Sequence, residues 1–164
     1  MITQGEIQKI ANKLGIRDTQ VEKDYVIGWI LYGLSENDYL RKKLIFKGGT
    51  ALRKIHFKEY RLSEDLDFTF NGKDFSKDSV DENFTKLNEW VYKNARIKIA
   101  VQDQVLHKTG NYNFYLGYIG PLGGSGANKS IKVDIANDEL ICNTPVELIV
   151  NNEYSDLQAN CKLL

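Results

Sequence analysis

The stretch FKGGTALRKIHFKEYRLSEDLDFTF runs from Phe46 to Phe70. It follows a short apolar run, Leu44–Phe46, of the kind a buried strand requires. Gly48 and Gly49 interrupt that run, and a short helix is expected from about Thr50 to Phe57. DLDFTF then alternates. Leu66, Phe68 and Phe70 share one side, while Asp65, Asp67 and Thr69 share the other. The pattern predicts a half-buried strand with an acidic face, closed by the Asn71-Gly72 turn.

Two carboxylates at i and i+2 on a strand point the same way and repel each other, which costs stability unless a cation sits beside them. Magnesium takes oxygen ligands and commonly binds one or two carboxylates together with substrate phosphates. The glycine turn supplies the complementary half. Glycines let backbone N–H groups approach phosphate oxygens, and the start of the following helix carries partial positive charge. Gly48, Gly49 and Thr50 are thus candidates to hold a triphosphate, with Asp65 and Asp67 as Mg²⁺ ligands. Arg53, one helical turn on, is within reach of a phosphate, though a solvated helix face explains it equally well, and Lys47 carries the same two readings.

A third acid comes from IKVDIA. Ile131, Val133 and Ile135 share one face there, and Lys132 and Asp134 the other. If this strand lies beside DLDF, three acids converge. Two-metal phosphoryl or nucleotidyl transfer needs an ion on the attacking oxygen and one on the leaving side. Asp134 would hold the ion at the acceptor hydroxyl or act as the base itself.

The remaining segments frame this centre. Thr3 with Glu6 reads as a capping box before a helix with Ile7, Ile10, Ala11 and Leu14 on one face, stopped at Gly15. Thr19 with Glu22 reads as a second, ahead of a helix carrying Val21, Tyr25, Gly28, Trp29 and Tyr32. Ser79 with Glu82 reads as a third, for a helix with the stripe Phe84, Leu87 and Val91. RIKIAVQ and YNFYLGYI alternate as strands around a turn at Lys108–Asn111. The tyrosines in the second suit sheet packing, with base stacking as the other reading. GGSGANKS is close to a phosphate-binding loop, but Asn128 replaces the required glycine and a strand follows, so a flexible connection or substrate-side flap is expected. His56 and His107 are isolated.

Composition sets outer bounds. The 164 residues fit one domain, or one plus an appended helical piece, with 42% apolar and 27% charged residues, as in ordinary globular proteins. Lys plus Arg and Asp plus Glu both number 22, so bulk charge gives no attraction to nucleic acid. Cys142 and Cys161 lack metal-ligand or disulfide-framework spacing, and a reducing compartment follows. The polar start MITQGEIQKI is unlike a signal peptide, and no apolar run spans a membrane. A cytoplasmic protein is expected.

Gly-Gly, a helix, then Asp-x-Asp on a strand resembles the DNA-polymerase-β-like nucleotidyltransferase superfamily. FKGGTALRK (Phe46–Lys54) and YRLSEDLDFT (Tyr60–Thr69) resemble the AbiEii/AbiGii-type toxins of type IV toxin–antitoxin, or abortive-infection, systems. VEKDYVI (Val21–Ile27) and IKVDI (Ile131–Ile135) add looser matches. The resemblance implies an α/β (α+β) nucleotidyltransferase core, a small mixed sheet flanked by helices and braced by two N-terminal helices. It implies Mg²⁺-dependent transfer of a nucleoside monophosphate from an NTP, an acceptor such as the tRNA 3′ end, and a cognate antitoxin. Ser63 and Arg61 match the toxin pattern, Ser63 as a nucleotide-binding residue. On this reading residues 1–40 are N-terminal helices, 41–150 the catalytic core, and 151–164 the start of a C-terminal helical region in which the family carries a functional lysine. That role is not transferred to Lys162. The rival readings are a nucleotide- or partner-binding module without catalysis and a phosphotransferase acting on protein or antibiotic.

Overall fold

The computed structural model describes residues 1–57, 59–124, 126, 129–157 and 161–164. Its centre is a five-stranded sheet made of β1 (Leu44–Lys47), β2 (Leu66–Phe70), β3 (Lys98–Leu106), β4 (Tyr112–Ile119) and β5 (Ser130–Ala136), in the order β1-β2-β5-β4-β3. β2 and β5 run parallel, and the other neighbours run antiparallel. The protein is a mixed α+β fold, a small mixed sheet flanked by helices, as expected.

One face of the sheet is the core. Phe46, Leu66, Phe68, Phe70, Phe114, Leu116, Val133 and Ile135 are all buried, which the period-2 pattern demands. The helices α2 (Asp18–Glu36) and α5 (Lys77–Ala95) pack over them. Phe84 of α5 meets Phe114 edge-on with ring centroids 4.9 Å apart. Burying each such side chain stabilises the fold by about 1.5–3 kcal/mol. α1 (Gln4–Leu14) leans on α2, capped by the Thr3 hydroxyl and ended by Gly15 at φ 67°.

Several helices start earlier than their capping patterns suggest. α2 begins at Asp18, where the Gln20 side chain accepts the Arg17 N–H at 3.3 Å. Glu22 is unavailable as a cap because it is fully buried against Lys129 and the Leu122 N–H. α5 begins at Lys77 with Ser76 as its cap, while Glu82 pairs with Lys86 one turn on.

A six-residue α3 (Asp38–Lys43) leads into β1. The helix after β1 starts at Gly48, two residues ahead of expectation. It is α-helical over α4 (Gly48–Ala51) and then widens into a π turn over Leu52–His56, where the Phe57 N–H donates to the Leu52 carbonyl at 2.7 Å. That wider turn aims Lys54 inward, where it meets the buried Asp24 at 2.7 Å. The Tyr154 hydroxyl donates to the same Asp24 oxygen, also at 2.7 Å.

Residues 151–164 show no helix among those described. Val150, Tyr154, Leu157, Cys161 and Leu163 are buried, and β6 (Leu148–Ile149) pairs with β7 (Lys162–Leu163). The Asn151 backbone and side chain donate to the Lys54 and Ile55 carbonyls, satisfying the end of the π turn. The proposed flap lies partly outside the described residues, at Ser125, Ala127 and Asn128. Among the described residues no helix is long and apolar enough to cross a membrane.

Candidate active site

The sheet register assembles the site on the face opposite the core. Lys47 is opposite Asp67, Asp67 is level with Asp134, and Asp134 is opposite Asn113. These four residues form one row across β1, β2, β5 and β4. Asp65 stands two positions before Asp67, exposed, just ahead of β2. The condition set for convergence, that the strand of Asp134 lie beside that of Asp67, is met by the parallel β2–β5 pair.

The glycine turn closes on this row from above. Gly48 has φ 77°, which favours glycine. A Cβ there would press on the Asp67 carboxylate, lying 2.9 Å from its Cγ. Gly49 faces the loop before β2, where a Cβ would lie 3.0 Å from the Ser63 hydroxyl oxygen. Gly48, Gly49, Ser63, Asp65 and Asp67 are thus one neighbourhood, and Asp134 joins it through the sheet.

The electrostatics are unbalanced there. Burial raises the Asp67 pKa above the ordinary aspartate value, and Asp134 and Asp65 raise it further, against weaker opposing effects of Lys47 and Lys132. Each nearby cation has another partner. Lys132 lies 2.8 Å from Asp134, and that hydrogen bond raises its own pKa. Lys47 bonds Glu139, which also accepts from the Thr69 hydroxyl. The Asn113 side-chain amide donates to Asp134.

Two residues expected at the phosphates are engaged elsewhere. Thr50 is buried and its hydroxyl donates to the Asp65 carbonyl, so it orients the first acid. Arg53 donates to the Tyr60 carbonyl at 2.7 Å and lies 3.9 Å from Asp24, bracing the loop that carries Ser63. Arg61 is exposed, as are His56 and His107.

Among the described residues no three acids, histidines or cysteines are gathered as a ready-made ion cage. The donor chemistry nevertheless fits a hard divalent cation. Asp65, Asp67 and Asp134 offer carboxylate oxygens only, and Asp67, whose pKa is raised first by burial and then by the charges of Asp134 and Asp65, would be relieved of that repulsion by such an ion. Glu139 and Asn113 were not foreseen from sequence, since neither carries a local signal and both are brought in by chain pairing.

One solved structure bears on the fold and one family model on kinship. MenT4, a nucleotidyltransferase toxin from Mycobacterium tuberculosis, matches the fold with a TM-score of 0.66 and 22% identity. The match covers 99% of this chain and 54% of that one, so this chain spans about half the length of that toxin. No curated protein matches. The sequence model for the nucleotidyl transferase AbiEii toxin, Type IV TA system, matches residues 29–164, which include every residue of the acid row and the glycine turn. The chain belongs to the AbiEii nucleotidyl transferase toxin family of type IV toxin–antitoxin systems.

Proposed function

We propose that this chain transfers a nucleoside monophosphate from an NTP to an acceptor hydroxyl, releasing pyrophosphate, as the catalytic part of a cytoplasmic toxin. The carrying observation is the side-by-side register of Asp67 and Asp134 beneath the Gly48 turn. In this reading the backbone N–H groups at Gly48 and Gly49 hold the triphosphate, and Ser63 lends its hydroxyl. Asp65, Asp67 and Asp134 would hold Mg²⁺, which when bound neutralises charge on the phosphates and lowers the pKa of the acceptor hydroxyl. Thr50 fixes Asp65 through its carbonyl. Asn113 and Lys132 orient Asp134. The 3′ end of tRNA is the acceptor we favour, and an antitoxin protein the partner, on the strength of family membership.

The test incubates the protein with Mg²⁺, total bacterial RNA and each NTP labelled at the α or the γ phosphate. Transfer of α label to a tRNA-sized species is expected. Transfer of γ label alone would make the chain a phosphotransferase. Nucleotide binding without transfer of either label would make it a binding module.

A further inference from the structure

The second turn of α2 carries three consecutive charged residues, Glu22, Lys23 and Asp24, and Glu22 and Asp24 are buried. Successive positions on an α-helix point about 100° apart, so the three side chains leave in different directions. Each reaches a different segment around the site. Glu22, fully buried, accepts the Leu122 N–H at 2.7 Å and pairs with Lys129 at 2.8 Å, on the connection that leads into β5 and Asp134. Lys23 pairs at 2.8 Å with Glu64, the residue between Ser63 and Asp65. Asp24 pairs with Lys54, on the helical turn that follows Gly48 and Gly49.

We propose that Glu22, Lys23 and Asp24 are positioning residues that set the glycine turn, the Asp65–Asp67 strand and the Asp134 strand at their working separation. This rests on the transfer reading above. Buried or half-buried ion pairs add little net stability compared with apolar residues of the same size, so stability alone is a poor reason to keep three in a row. Fixing geometry is a better one, because displacing reacting groups by about 1 Å costs on the order of a hundredfold in rate. The Lys23–Glu64 arm is the sharpest case. Glu64 is nearly half exposed, so the pair contributes little to folding. Yet Glu64 is flanked on both sides by proposed site residues, and its carboxylate accepts a hydrogen bond from Lys23 at 2.8 Å.

The experiment compares wild type, K23E, E64K and the K23E/E64K charge swap. Transfer rate, the Mg²⁺ concentration for half-maximal rate, melting temperature and amide hydrogen exchange at residues 61–67 are measured. Each single variant is expected to lose roughly tenfold in rate, the scale of a sub-ångström displacement. Each should also need more Mg²⁺ and exchange faster at 61–67, with its melting temperature close to wild type. The swap should recover all three. Single variants with unchanged exchange and unchanged Mg²⁺ requirement would overturn the proposal. So would a swap that restores nothing. If the wild type transfers no label but exchange at 61–67 still responds and recovers, the transfer reading fails while the mechanical link stands.

Discussion

Two sets of charges in this molecule are treated in opposite ways. Behind the sheet, each buried acid of α2 has a cation of its own: Asp24 has Lys54, and Glu22 has Lys129. On the open face, Asp67 and Asp134 stand level on adjacent strands with Asp65 close by, and among the described residues the three acids share a single lysine, Lys132 on Asp134, because Lys47 pairs with Glu139 instead. A fold under no functional demand would not put two carboxylates in register, because like charges so placed destabilise a sheet. The first set is balanced and holds the scaffold. The second is left negative, which is what the proposed binding of a cation and a polyphosphate requires.

The contrast can be broken most severely at Asp67. D67N should cut transfer by roughly a thousandfold, about 4 kcal/mol of barrier, in single-turnover assays. The same variant should be more stable than wild type by about 0.5 kcal/mol in urea melts at neutral pH, since it removes one of the repelling charges. A loss of stability would place Asp67 among the balanced charges. K54M tests the other side. Leaving Asp24 buried without its lysine should cost about 3 kcal/mol of unfolding free energy. G48A comes next. Its strained φ costs about 1–2 kcal/mol, and its methyl group would push the Asp67 carboxylate aside, so activity should fall more than stability does.

The smallest effect expected is at Glu139. Its pKa lies below the ordinary glutamate value because of hydrogen bonds from Lys47 and Thr69. An acid depressed in the folded state stabilises the fold above its unfolded pKa, and that contribution fades as pH falls through the folded value. E139Q should therefore be less stable than wild type near pH 7, by well under 1 kcal/mol because the pair is half exposed, and indistinguishable from it in strong acid. Denaturant melts at both pH values check this.

The chain showed some of this openly. Alternation in 66–70 and 131–135 records burial residue by residue, so both strands and their polar faces were legible in advance. That β5 would lie against β2 was not, because pairing across more than sixty residues of chain leaves no local trace. Among the site residues, Gly48, Gly49, Asp65 and Asp67 came from one contiguous motif. Thr50 and Arg53 came from it too, but the direction of a side chain depends on what packs around it. The hydroxyl of Thr50 turned to Asp65 and the guanidinium of Arg53 to Tyr60. VEKDYVI was visible as a pattern, while the partners of its three charges are set by tertiary packing alone.

The π turn at Leu52–His56 has a consequence for how this chain tolerates changes of length. One winding holds an additional residue, and that surplus lets the glycines clasp Asp67 at one end while Lys54 docks on Asp24 at the other. Excising a single amino acid here would tighten the coil to ordinary α pitch and swing everything beyond it by about 100°. Either clasp or dock would then be lost, so a one-codon deletion in this winding should do more harm than most exchanges of its side chains.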